Sequence, residues 1–262
     1  MHDELTISVL KVLGTAGMAF IIAMSMTPLL IRLMHAYRLW KDHSGKIALA
    51  GGEARTFNSL HDETKTPRVG GILVWGSVLL VTFLFWGLHK VFDHGILDKF
   101  NFLSRSQTWL LVFTLGAASL LGLADDVLQI GAARKNQLKG GIDLATRLIA
   151  VSLIALVGAF WFYYKLDWHT VYLPGIGMLF IGWWYIPFFV ITMIATYSGS
   201  VIDGIDGLAG GVFASAFAAF AAIAFFQNQI DVAAFAAAIT GSLLAFLWFN
   251  IPPARFYMSE TG

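Results

Sequence analysis

The sequence predicts an all-α fold, a polytopic integral membrane helical bundle of about seven transmembrane helices, on three observations. Only 13% of its 262 residues are charged and 58% are hydrophobic, whereas a soluble domain carries roughly a quarter charged residues. Apolar runs of about 20 residues recur along the chain, the length that crosses a bilayer. Basic residues crowd into alternate connections between those runs, as they do in cytoplasmic loops. No Pro- or Ser-rich linker divides the chain, so 1–262 reads as a single domain. The absence of cysteine excludes disulfides, thiolate metal sites and cysteine nucleophiles.

The expected spans run over 7–34, 69–88, 109–124, 145–164, 178–197, 208–226 and 232–251. The start, Met1-His2-Asp3-Glu4, is acidic and lacks a small-residue cleavage site, which predicts a retained first helix rather than a cleaved leader. The third run is short for a crossing, and its helix can continue through Asp125-Asp126 beyond the hydrocarbon. Between the fourth and fifth runs, Val171-Tyr172-Leu173-Pro174-Gly175-Ile176-Gly177 sets strand formers around a Pro-Gly turn, which predicts a small external hairpin.

The first connection and its margins carry Arg32, Arg38, Lys41, Lys46, Arg55, Lys65 and Arg68. The third carries Arg134, Lys135, Lys139 and Arg147, and Arg255 follows the last span. Against these stand Lys11, Lys90, Lys99, Arg105 and Lys165 on the other side. The bias puts the N-terminus outside and the odd-numbered connections in the cytoplasm. By this parity Lys65, Asp125, Asp126, Asp203, Asp206 and Glu260 all meet on the cytoplasmic face.

Carboxylates at a bilayer edge are costly and therefore functional suspects. Neighbouring residues on a helix point about 100° apart, so one of Asp125 and Asp126 can face a cavity while the other braces something else. Alone, the pair reads equally as an acidic helix exit balanced by Arg134 and Lys135. Asp203 and Asp206 share a face if helical and sit among Gly204, Gly207, Gly210 and Gly211, where backbone can approach a ligand closely. Helix capping is the competing reading. Lys65 beside Pro67 and Arg68 suits a phosphate contact or ordinary positive-inside anchoring. Glu260 joined to Asp125 or Asp126 would meet magnesium's preference for one or two carboxylates plus phosphate oxygens and water. The histidines show no metal-ligand spacing.

In order, these strings resemble the polyprenyl-phosphate N-acetylhexosamine-1-phosphate transferase superfamily, of the glycosyltransferase family 4 type, and within it the branch of peptidoglycan synthesis. Lys65-Thr66-Pro67-Arg68-Val69-Gly70-Gly71-Ile72 resembles its Lys-x-Gly-Thr-Pro-Thr-Met-Gly-Gly-Ile string, and Gly122 to Asp126 its Gly-Phe-x-Asp-Asp string. Asp203-Gly204-Ile205-Asp206-Gly207-Leu208-Ala209 nearly reproduces Asp-Gly-Leu-Asp-Gly-Leu-Ala. Pro253 to Gly262 resembles Pro-Ala-x-x-Phe-Met-Gly-Asp-Thr-Gly. The chain departs from the pattern at Tyr197 and Ser200, where asparagines are usual, and at Ser259-Glu260, where Gly-Asp is usual.

The resemblance implies transfer of a phospho-amino sugar from a UDP-linked donor to undecaprenyl phosphate, with release of UMP. Phospho-N-acetylmuramoyl-pentapeptide is the expected group and phospho-N-acetylglucosamine the alternative. It implies Mg2+ held by Glu260 and Asp126, with Asp125, Asp126 and Asp203 as catalytic carboxylates. Lys65, Asp203, Gly204, Asp206 and Arg147 are then the substrate contacts. The implied partners are the lipid bilayer, the two substrates and a possible homodimer, with no nucleic acid. The expected place is a bacterial inner membrane, with the site facing the cytoplasm. Family members have about ten spans and a histidine-rich loop near the C-terminus, so a C-terminally truncated chain is expected. A transporter using the acids for ion coupling, or a non-catalytic paralogue, are the competing classes.

Overall fold

The structure is a computed structural model and describes residues 2–40, 66–91, 100–103, 106–134, 141–199 and 205–262. Seven α-helices occur among these: α1 (His2–Ala36), α2 (Gly71–Val91), α3 (Ser106–Arg134), α4 (Leu144–Phe160), α5 (Tyr185–Tyr197), α6 (Leu208–Phe226) and α7 (Ile230–Asn250). All but α5 are long and apolar enough to cross a membrane. The all-α membrane bundle expected from composition is the fold observed.

Helix α7 lies at the centre, against α1, α2, α3 and α6. Its sequence explains the position. Ala233, Ala234, Ala238, Gly241, Ser242 and Ala245 keep its surface small, which lets neighbouring backbones approach where apolar side chains gain nothing over lipid. At Gly241 a Cβ would collide with the Ala16 carbonyl of α1, so glycine is required for that contact. Hydroxyls tie the same interfaces. Thr15 Oγ1 donates to the Ala234 carbonyl at 3.2 Å, and Ser77 Oγ of α2 donates to Ser242 Oγ at 2.8 Å. Near the start of α7, Lys11 Nζ bonds Asp231 Oδ1 at 2.6 Å and the Asn101 carbonyl at 2.7 Å, joining α1, α7 and the approach to α3.

Helix α3 continues through Asp125 and Asp126, as the sequence allowed, and runs on to Arg134. Their side chains find partners inside the fold, and the helix has no reason to stop at them. The fifth run begins not as helix but as strand β2 (Gly177–Phe180), antiparallel to β1 (Thr170–Leu173), and helical backbone starts only at Gly182. The hairpin predicted around Pro174-Gly175 is present. A π turn, Trp161–Lys165, extends α4 towards it.

Helices α4 and α5 pair with each other and join the bundle through α3. A cavity of about 640 Å3 remains between this pair and α2, α3, α6 and α7. The chain after α7 closes one end of it. Tyr257 N donates to the Pro67 carbonyl at 2.9 Å, while Gly70 N and Gly71 N donate to the Tyr257 and Met258 carbonyls at 2.8 and 3.1 Å. The segment is thus stitched by three backbone hydrogen bonds to the entry of α2. Phe256 plugs the space beneath, fully buried against Phe246 and Phe249.

Candidate active site

Adjacent residues of α3 divide the work. Asp125 lines the cavity, and Asp126 does not. Asp125 Oδ2 meets Arg147 Nη2 at 2.5 Å and accepts from Gln129 Nε2 at 2.7 Å, while its Oδ1 accepts from the Ile142 backbone N–H. Asp126 is turned to the C-terminal segment. Its Oδ1 accepts from Ser259 Oγ at 2.6 Å, and its Oδ2 accepts from Thr261 N at 2.9 Å and from Thr261 Oγ1. Expected as catalytic group and metal ligand, Asp126 has both oxygens committed to holding residues 259–261 in place.

That hold brings Glu260 to the cavity. Ser259 has a positive φ of 58°, a conformation costly for a residue with a Cβ, and the turn it makes sends Glu260 inward. The close approach also depends on Gly122, where a Cβ would fall on the Glu260 carbonyl oxygen. Glu260 Oε1 lies 3.1 Å from Arg147 Nη1. Arg147 stands in the first turn of α4, with Nε donating to the Ile142 carbonyl at 3.0 Å and the guanidinium also bonded to Tyr197 of α5. One planar cation therefore joins α3, α4, α5 and the C-terminal segment, a geometry suited to its fork of donors. Burial pushes the Glu260 carboxyl above the ordinary glutamate range. Arg147 opposes the shift, and the nearby Asp125 and Asp126 add to it.

Asp206 lines the same cavity. Its Oδ2 accepts from the Ala254 N–H at 3.1 Å, so it also anchors the chain after α7, while its Oδ1 is buried with no hydrogen-bond partner among the described residues. The Gly207 N–H donates to Asn250 Oδ1 at 2.9 Å, and Asn250 Nδ2 donates to the Phe256 carbonyl. Arg68 lines the cavity and acts electrostatically on Asp126. Lys65, Asp203 and Gly204 lie outside the described residues.

The structure thus brings Asp125, Arg147, Asp206 and Glu260 to one end of the cavity wall. Sequence reasoning missed Thr261, Gln129 and Asn250. Asn250 had a signal, being a lone amide at the end of an apolar run just before Ile251-Pro252-Pro253. The other end of the cavity is apolar, with Val74, Leu115, Val151, Ile154, Phe213 and Leu243 on its walls. An elongated apolar space ending at buried carboxylates and guanidinium groups suits an amphiphile with an anionic head.

Among the described residues, no group of three His, Asp or Glu side chains could hold a metal ion alone. A magnesium site built on fewer carboxylates and completed by phosphate oxygens and water does fit. Glu260 supplies hard oxygens and the unpartnered Asp206 Oδ1 leaves negative charge on the same wall, while Asp125, whose oxygens are engaged like those of Asp126, could join only by releasing Arg147 or Gln129.

The fold and this cavity define the class: a multi-pass membrane protein with a cavity whose walls carry buried carboxylates and guanidinium groups. A match to glycosyl transferase family 4 spans residues 108–262, and the chain belongs to that family. It is 32% identical over 256 residues to the phospho-N-acetylmuramoyl-pentapeptide-transferase of Bacillus pumilus (strain SAFR-032), covering 96% of this chain and 70% of that protein. The proteins of the same name from Bacillus mycoides (strain KBAB4) and Bacillus thuringiensis (strain Al Hakam) are each 32% identical over 259 residues, covering 95% of this chain and 70% of theirs. The resemblance drawn from the four ordered strings is borne out. The chain is a transferase of a bacterial, membrane-embedded kind.

Proposed function

We propose that the protein transfers phospho-N-acetylmuramoyl-pentapeptide from a UDP-linked donor to undecaprenyl phosphate, forming the first lipid-linked intermediate of peptidoglycan synthesis and UMP. The observation that carries this reading is the cavity whose apolar walls lead to Asp125, Arg147 and Glu260. An isoprenoid chain fits the apolar part, and its phosphate then reaches the charged end. The donor is soluble and charged, so the charged end faces the cytoplasm, as the distribution of basic residues also indicates.

Catalysis is then mainly positioning and charge neutralisation. Arg147 and Arg68 offer donors to the diphosphate of the donor and the phosphate of the acceptor. Asp125, held by Gln129 and the Ile142 N–H, presents a carboxylate that can organise the acceptor phosphate or take its proton. Glu260, and Asp125 on releasing Arg147 to a phosphate, would hold magnesium, which when bound neutralises phosphate charge. Asp126 acts through Ser259 and Thr261 by keeping Glu260 at the wall. Asp206, with Asp203 and Lys65 outside the described residues, is assigned to the uridine-diphosphate end.

The test is purified protein in lipid with undecaprenyl phosphate, magnesium and either UDP-N-acetylmuramoyl-pentapeptide or UDP-N-acetylglucosamine, with UMP as the readout. Release of UMP with the first donor is expected, and its loss on chelation. Turnover with the second donor alone would replace the proposed substrate. Full turnover in Asp125→Asn would overturn the assigned chemistry.

A further inference from the structure

Strands β1 and β2 stand at the end of the bundle opposite the charged cavity. Helix α4 carries Arg147 at the cavity in its first turn and runs away from it to the π turn from which the hairpin starts. No charged residue occurs from Thr170 through Tyr197. The register Tyr172↔Met178 and Thr170↔Phe180 sets Tyr172, Met178 and Phe180 on one face, and Val171, Leu173 and Leu179 fall on the other. Both faces are apolar, yet Met178 is 70%, Phe180 71% and the turn residue Ile176 77% exposed. A lone two-stranded hairpin is marginal in water, and open strand edges with apolar faces invite association. Something covers it.

Two features say what. The helical stretch Gly182–Tyr197 is too short to be a full span. At 1.5 Å per residue it is about 24 Å long, less than the roughly 30 Å of hydrocarbon. Phe180 and Ile181 must therefore lie at or within the apolar boundary. The polarity of the hairpin also runs the wrong way for one standing up in water. Lys165, Asp167 and His169 are at its base, Asp167 being 92% exposed on its side chain, and the apolar residues are towards its tip. Trp168, Trp183 and Trp184 flank that base, as aromatic residues do at a membrane interface. The unpaired strand edges keep the hairpin at headgroup level, where water still reaches its backbone.

We propose that the hairpin is a lipid-binding surface. It lies over onto the headgroup–acyl boundary of the leaflet opposite the cavity and inserts Ile176, Met178 and Phe180. A second copy of the chain fits less well, because strands of four residues offer far less than the roughly 800 Å2 per partner of a stable interface. Since α4 and α5 bring Arg147 and Tyr197 to the cavity, this contact sets the depth of that wall in the bilayer.

The chain has no cysteine, so single sites can be labelled cleanly. Ile176→Cys, Met178→Cys and, as an aqueous reference, Asp167→Cys would each carry a nitroxide in the full chain, in nanodiscs of phosphatidylethanolamine and phosphatidylglycerol. Collision with oxygen, which partitions into lipid, is compared with collision with a water-soluble nickel chelate. Labels at 176 and 178 are expected to favour oxygen and the label at 167 to favour nickel. The proposal is overturned if 176 and 178 favour nickel as 167 does. It is equally overturned if they are shielded from both reagents and show spin–spin broadening that disappears on dilution with unlabelled protein, the signature of a second copy.

Discussion

Replacing Asp126 separates a residue that holds the site from one that acts in it. Asp126 receives three hydrogen bonds from residues 259–261. In Asp126→Ala these donors lose their acceptor in a place where Thr261 is 1% exposed. Each stranded donor costs about 1–3 kcal/mol, or about 3–9 kcal/mol for the three together if the segment stayed in place. The segment will leave instead. Asp126→Asn behaves differently: its amide oxygen can keep both Thr261 donors, and its NH2 group can face Ser259, whose hydroxyl turns from donor to acceptor. That exchange costs about 1 kcal/mol. Hydrogen exchange at the Tyr257 amide, bonded to the Pro67 carbonyl, reports the opening. Protection should fall about a hundredfold or more in the alanine variant and by less than tenfold in the asparagine variant, at 1.4 kcal/mol per factor of ten. UMP release should follow the same order. Unchanged protection in Asp126→Ala would refute the bracing role. Complete inactivity of Asp126→Asn with native protection would move Asp126 into the chemistry itself.

Three further outcomes follow from other contacts. Gly122→Ala sets a Cβ on the Glu260 carbonyl, so it should cost about 1–3 kcal/mol, loosen the same Tyr257 amide and lower turnover, whereas Gly131→Ala, with open space around it, should do none of these. Lys11→Met removes the ion pair with Asp231 and the bond to the Asn101 carbonyl at a partly buried site and should lower the thermal midpoint, with Asp231→Asn in the same chain recovering part of the loss. The raised Glu260 carboxyl makes the folded chain take up a proton between the ordinary glutamate value and the raised one, so stability should decrease as pH rises through that window and level off above it. The acid limb of activity should sit correspondingly higher than for an ordinary glutamate, and pH titrations of UMP release by wild type and Glu260→Asp, whose shorter arm retracts from Arg147, should differ in that limb.

What the sequence disclosed, and what it did not, follows from the range of the interactions concerned. The spans were legible because about 20 apolar residues are a local property, and the hairpin because Pro174-Gly175 is a local turn signal. The sequence allowed α3 to continue through Asp125-Asp126 but left its end at Arg134 open. Whether a helix continues past two acids depends on what meets them, and their partners, Arg147 and Thr261, lie far along the chain. The same holds for the start of α5, where pairing with β1 overrides an apolar run that reads as helix.

The candidate site shows this most sharply in Asp125 and Asp126. Helical geometry points two adjacent acids about 100° apart, so one can face a cavity while its neighbour braces something else. Which one faces the cavity is decided by the C-terminal segment, whose Ser259 and Thr261 donors claim Asp126 and thereby deliver Glu260 opposite Asp125. Arg147 then spans the two carboxylates with 2.5 and 3.1 Å contacts, a fit that needs the longer arm of a glutamate. The substitutions of Ser259 and Glu260 for the usual Gly-Asp therefore act as a pair. Serine gives Asp126 a donor that glycine lacks, at the expense of a strained φ, and glutamate reaches a guanidinium that aspartate would leave about one methylene short. Because both side chains hold one short segment, the losses in Ser259→Gly and Glu260→Asp should not simply add: in a double-mutant cycle on UMP release and Tyr257 protection the second should cost less once the first has loosened the segment, and additive effects would mean that the two contacts act independently.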